Sequence, residues 1–258
     1  MTITPVIHAD HTTAPWNVVY TLAGETKPSS WMLVGGLMVQ AHAMLAGRDS
    51  RPTFDADFMA DILSDNLSAA HIVRALERHG YRLRTGTLTG YSSRMVNEDG
   101  SKVDIMSPDH LPRWTERKHL TTVHGENIFT TPGGAQALER CMSLTLEDDD
   151  VQCNIRIPDQ LGALILKAAA WVADQGGQRS RHLQDALTLC LIFNDPETQR
   201  LRLHSRNDRR RLLALRESFA NDEGMLDMFP RSDIAYAVGV LTILLKQTGS
   251  GTSRLPLH

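Results

Sequence analysis

The 258-residue sequence predicts an α/β protein: a small mixed sheet with flanking helices over residues 1–158, then a helical domain over residues 159–258. Three observations carry this. Short apolar or alternating runs, punctuated by Gly and Pro, recur up to Pro158. Beyond Asp159 the apolar residues recur at helical spacing instead. Hydrophobic residues make up 41% of the chain and charged residues 22%, so either part can bury a core and wholesale disorder is excluded.

Taken in order, residues 15–25 read as a short helix entered by Pro15. Trp31 to Val34 is a compact apolar strand that ends in Gly35-Gly36, and Leu37 to Leu45 has apolar residues at helical spacing. Phe54 to Met59 alternates, with Phe54, Ala56 and Phe58 on one face and Asp55 and Asp57 on the other. Ser68 to His79 reads as a helix stopped by Gly80. Strand-like stretches follow at Tyr81–Arg84, Tyr91–Val96 and Lys102–Met106, the last two joined by a turn at Asn97-Glu98-Asp99-Gly100. Residues 108–134 read as irregular. Ser143–Leu146 and Val151–Ile157 read as a strand pair around the acidic turn 147–150. Helices are expected at about 160–174, 179–193, 207–220 and 231–247, followed by a flexible tail from Gly249.

The N-terminus lacks the basic and apolar regions of a secretory signal, and no apolar run is long enough to span a bilayer. Cys141, Cys153 and Cys190 are odd in number and widely spaced, which argues against a disulfide framework or a Cys-rich zinc site. The expectation is a cytoplasmic protein without membrane contact.

The densest chemistry lies between residues 35 and 57. On a strand, residues i and i+2 share a face, so Asp55 and Asp57 present two carboxylates side by side. Like charges so placed need a cation or hydrogen bonds to offset them, and an all-oxygen set suits Mg2+ or Mn2+ better than zinc. Asp104 lies in a later strand; if that strand pairs beside Phe54–Met59, three carboxylates converge as a metal site for phosphoryl chemistry. Gly35-Gly36, between a strand and a helix, lets the backbone approach a triphosphate with helix N–H groups aimed at its oxygens.

Glycine pair, then Arg51-Pro-Thr53-Phe-Asp55-Ala-Asp57, resembles the nucleotidyltransferase superfamily that shares the DNA polymerase β palm, and more narrowly the AbiEii/MenT toxin type. The matching motif covers residues 31–60. The resemblance implies a nucleotidyltransferase-type fold and transfer of a nucleotide from an NTP to an acceptor hydroxyl. It implies that Gly35, Gly36, Arg51 and Thr53 form the triphosphate cradle and that Asp55 and Asp57 bind metal. It makes a tRNA 3′ end the leading acceptor and a cognate antitoxin an implied protein partner. A small-molecule acceptor, a protein side chain, or a nucleotide-binding module without catalysis remain open alternatives.

In the second part, Lys167 is the only charge between Leu161 and Val172, so it either reaches out to water or meets an anion. It resembles the family's helix lysine, which implies a grip on the triphosphate. Arg181-His-Leu-Gln-Asp185 resembles the family's Arg-Asp-x-x-Asp motif, with His182 where the first acid stands. Asp185 reads equally as a catalytic base or as a structural partner of Lys167 or Arg181.

Net charge is −3, yet residues 200–216 hold seven arginines and one acid, Asp208. This stripe is either a solvated helix face or a dock for the backbone of an RNA acceptor. His8-Ala-Asp10-His11 has ligand-like spacing but sits in a terminus read as mobile. His119 and His124 are candidates to line a cleft, and Gly133-Gly134 reads as a turn. No Walker A, nucleophile-elbow or Cys–His signal is present.

Overall fold

The computed structural model describes residues 3–84, 94–110, 128–174, 177, 179–221, 224 and 226–246. Tyr91, His119, His124 and the tail from Gly249 lie outside the described residues.

The architecture is α/β. One sheet has the order β2-β3-β6-β5-β4, formed by Trp31–Val34 (β2), Asp55–Ala60 (β3), Arg82–Leu83 (β4), Arg94–Val96 (β5) and Lys102–Pro108 (β6). It is mixed, because β3 and β6 run parallel while β2/β3, β5/β6 and β4/β5 are antiparallel. Phe129–Thr131 (β7) pairs in parallel with the far end of β6, on the edge that β5 has left. A second sheet joins Val6–His8 (β1) to the hairpin Cys141–Asp148 (β8) and Val151–Pro158 (β9).

Helices Trp16–Glu25 (α1) and Ser68–Arg78 (α3) pack against each other and on β3. Gly35–Leu45 (α2) packs on β2 and β3 and also meets the helices of the C-terminal part. A short helix, Gly134–Glu139 (α4), precedes β8. After β9 come Gln160–Ala173 (α5), Arg179–Leu191 (α6), Pro196–Gln199 (α7), Arg206–Ala220 (α8) and Arg231–Leu245 (α9).

Most strands follow directly from the residue pattern. In β3, Ala56 and Phe58 are fully buried, and Phe58 meets Trp31 edge-on with centroids 5.2 Å apart, which anchors β2 to β3. The four residues of β2 are all buried, which is why they read as an unbroken apolar run. The step from strands to helices falls between Pro158 and Gln160, where the Asp159 side chain caps α5 through the Gly162 N–H. One hydrophobic cluster nevertheless runs from Ile7 through Phe58 to Leu244, so the helical part shares its core with the sheets.

Three local readings change. The N-terminus is not loose: Val6, Ile7 and His8 pair with Thr145, Leu146 and Glu147, a long-range register invisible in so short a run. Helix α2 starts at Gly35 rather than Leu37, because a glycine at φ +67° lets the chain turn into a helix directly from β2. The segment read as irregular contains β7, and α4 begins at its last residue, elements of 3 and 6 residues whose order depends on packing rather than periodicity. Gly133, at φ +83°, is a turn residue as expected.

Candidate active site

The register of the large sheet assembles an acidic centre. Val34, the last residue of β2, lies opposite Asp57, so α2 begins beside that carboxylate. On the other side of β3, Asp57 lies opposite Asp104 and Asp55 opposite Lys102. Asp55, Asp57 and Asp104 are therefore neighbours on adjacent strands, brought together across nearly fifty residues of chain.

The glycine pair is shaped around this centre. A Cβ on Gly35 would lie 1.7 Å from Asp57 Oδ2, and one on Gly36 would lie 2.7 Å from Thr53 Oγ1. Both positions therefore demand glycine for close approach, and Gly35 also for its left-handed φ. The Gly36 N–H donates to Asp57, placing the carboxylate at the positive end of α2. Even so, burial together with the charges of Asp104 and Asp55 pushes Asp57 up to about 7, against the opposing pull of Lys167 and the Gly36 N–H.

From the helical part, Lys167 on α5 is buried, with only 5% of its surface exposed. It does not reach out to water. Its Nζ donates to Asp185 Oδ2 at 2.7 Å, and its charge is felt at Asp57. Asp185, on α6, also accepts from Arg51 Nε at 2.7 Å and Nη2 at 3.0 Å. Burial alone would raise the Asp185 carboxyl, but Lys167 and the Arg51 bonds hold it below the usual range. A carboxylate gripped by two cations is a poor proton acceptor, so this geometry suits a positioning part better than a base.

One expected relationship therefore changes. Arg51 is tied to Asp185 and to the Pro52 carbonyl. The partners of Asp185 are Lys167 and Arg51, not Arg181, which is exposed. Arg51 arrives on the loop leading into β3, a tertiary contact that helix spacing within α6 cannot show.

Arg94 went unnoticed in the sequence. On β5 it lies opposite Asp104 and forms a two-pronged pair, Nε to Oδ1 at 2.9 Å and Nη2 to Oδ2 at 2.6 Å. Its only signal was an arginine in a strand expected to neighbour the Asp104 strand. His182, one turn before Asp185, has a buried Nδ1 without a hydrogen-bond partner among the described residues and its Nε2 3.7 Å from Asp174. Burial, reinforced by Lys167, pushes this imidazole down to about 4, so it is neutral at pH 7.

The donors suit a hard divalent cation: three carboxylates, no soft ligand, and one carboxyl starved of positive charge. Among the described residues their oxygens do not all come within 4.8 Å of one another, with Asp104 turned to Arg94. Asp10, His11 and Asp148 do meet that closeness. There, however, His11 Nδ1 is 2.6 Å from Asp148 Oδ2, and Asp10 accepts from Thr12 and Thr13, so the groups satisfy one another.

The arginine stripe is divided. Arg200 pairs with Glu197 at 2.8 Å, Arg202 with Asp159 at 2.5 Å, and Arg211 with buried Asp208 at 3.3 Å. Arg206 and Arg210 are exposed on α8. Among the described residues no helix is long and apolar enough to cross a membrane.

No protein-family model matches the chain, and no curated protein matches it. Among solved structures it is similar to an antigenic nucleotidyltransferase-like protein from Paracoccidioides brasiliensis, at 12% identity and a TM-score of 0.48, over 87% of this chain and 91% of that one.

Proposed function

We propose that the protein is a metal-dependent nucleotidyltransferase that moves a nucleotide from an NTP to an acceptor hydroxyl. The observation that carries this is the placement of Asp57 opposite Asp104, with Asp55 beside it, at the N-terminus of a helix that opens on two obligatory glycines. The Gly36 N–H at the start of that helix donates to Asp57, and the charge of buried Lys167 acts on the same carboxyl. That combination suits a polyphosphate held between cations and backbone dipoles.

In this reading Asp55, Asp57 and Asp104 would hold Mg2+ or Mn2+, which when bound would supply positive charge against the phosphates and the ionising acceptor hydroxyl. The Gly35-Gly36 backbone lets the triphosphate approach α2, and Thr53 packs beneath it. Lys167 supplies a point charge to the phosphates from the helical part. Asp185 fixes the direction of that ammonium and ties α6 to the loop bearing Arg51.

The acceptor in this reading is an RNA end, a tRNA 3′ terminus first, consistent with a toxin held in check by an antitoxin. Support comes from the motif resemblance and from exposed Arg206 and Arg210. A small-molecule acceptor is the second reading, favoured by the observation that Arg200, Arg202 and Arg211 are engaged by the chain's own acids.

The test is incubation with each labelled NTP, Mg2+ or Mn2+ and total RNA, with Asp55→Asn and Asp57→Asn as controls. Label on RNA that is lost in both variants is the expected result. Transfer that survives in both variants overturns the proposal, and label that appears on an added small hydroxyl compound but not on RNA selects the small-molecule acceptor.

A further inference from the structure

We propose that Arg94 is a positioning residue that competes with the divalent cation for Asp104, so that metal entry requires this pair to open. The proposal rests on the metal-site reading above and adds to it a charged group that the motif does not contain.

Two registers define the arrangement. Arg94 lies opposite Asp104 across β5/β6, and Asp104 lies opposite Asp57 across β6/β3. Opposed residues on neighbouring strands project from the same face, so the three side chains form a row, cation then two carboxylates. At the outer end of the row the guanidinium fork engages both Asp104 oxygens. The Arg94 side chain is 44% exposed and that of Asp104 18%, so the pair sits at the rim, where it can exchange without unfolding the strand.

A carboxylate oxygen has more than one lone pair, so Arg94 and a cation can in principle share Asp104. The geometry favours exchange. With the pair formed, the three aspartates do not close to within 4.8 Å of one another among the described residues, while both Asp104 oxygens are held by Arg94. A guanidinium and a divalent ion on one carboxylate also repel each other. The guanidinium thus occupies, in the chain itself, the counter-charge role that a metal would take over.

The experiment is Mn2+ titration of the full chain, read as free Mn2+ by electron paramagnetic resonance, for wild type, Arg94→Lys, Arg94→Ala, Asp104→Asn and the Asp104→Asn/Arg94→Lys double variant. Arg94→Lys keeps the charge and loses the fork, so it separates the specific pair from general repulsion and guards against a misfolded alanine variant. We expect Arg94→Lys to bind Mn2+ about fivefold more tightly, the factor that a partly exposed pair imposes on a competitor. The gain should vanish in the Asp104→Asn background. Unchanged or weaker Mn2+ binding in Arg94→Lys, or an equal gain without Asp104, overturns the proposal. The metal-site reading fails separately, if Asp55→Asn and Asp57→Asn leave Mn2+ affinity at the wild-type value.

Discussion

Lys167 Nζ lies 2.7 Å from Asp185 Oδ2, both groups are buried, and the Arg51 guanidinium closes on the same carboxylate from the loop before β3. One aspartate thereby joins α5, α6 and the approach to the acidic strand. Breaking a buried pair from one side leaves an uncompensated charge, typically at about 3–5 kcal/mol. Asp185→Asn is therefore expected to lower stability by roughly that amount, since it strands Lys167 and Arg51 together. Lys167→Ala should be milder for the fold, because Asp185 keeps Arg51. It should lower kcat/KM for nucleotide transfer by about ten- to a hundredfold, the value of a charged contact. Thermal melting and transfer assays on the same preparations check both; full activity in Lys167→Ala would remove the lysine from the site.

Asp57 supplies a pH signature. Its pKa in the folded chain, about 7, lies above the ordinary carboxylate value, so the folded state prefers the protonated form. The associated stability is fully present below about pH 4 and is lost as pH rises through 7. Metal-free wild type should accordingly lose Tm between about pH 4 and 7 relative to Asp57→Asn. Mg2+ should restore the difference at the upper end, because the cation replaces the proton. Parallel Tm profiles for the two proteins across this window would contradict the half-buried carboxyl cluster.

Gly35→Ala should be far more damaging than its size implies. The new methyl would sit 1.7 Å from Asp57 Oδ2 on a residue held at φ +67°. Left-handed backbone at a non-glycine residue adds about 1–3 kcal/mol of strain. The expected outcome is at least a hundredfold loss of transfer with weakened Mn2+ binding. Gly36→Ala, whose methyl would meet Thr53 Oγ1 at 2.7 Å and Thr53 Cβ at 2.9 Å, should lower activity less, because it adds the clash without left-handed backbone strain. Activity and Mn2+ titration of both variants give the comparison; equal, small effects would show that the helix start can shift freely.

The arginine stripe calls for selective rather than wholesale replacement. Arg211→Ser removes a partner of buried Asp208 and should chiefly destabilise the protein. Arg206→Ser and Arg210→Ser, on the exposed face of α8, should leave melting unchanged. If RNA is the acceptor, they weaken its binding and reduce the salt slope by about one for each phosphate no longer neutralised. Fluorescence anisotropy with a labelled RNA at several salt concentrations provides the readout, and an unchanged slope would favour a small acceptor.

The residue pattern alone determined the strand that carries Asp55 and Asp57 on one face, the glycine pair before it, and the change from strands to helices near Pro158. Each is a matter of local stereochemistry: alternation of side chains along a strand, the freedom of a residue without Cβ, and apolar spacing over a few turns. Which charges meet was decided only in three dimensions. Asp104 comes opposite Asp57 through a parallel register, Arg94 takes Asp104 through an antiparallel one, and Arg51 reaches an aspartate 134 residues away. In the stripe, Arg211–Asp208 and Arg200–Glu197 are i, i+3 pairs that local helix spacing permits, whereas Arg202 is claimed by Asp159 from another element. A charge can be paired by any element that packs against it, so a long-range partner is a property of the assembled fold, and no window of neighbouring residues contains it.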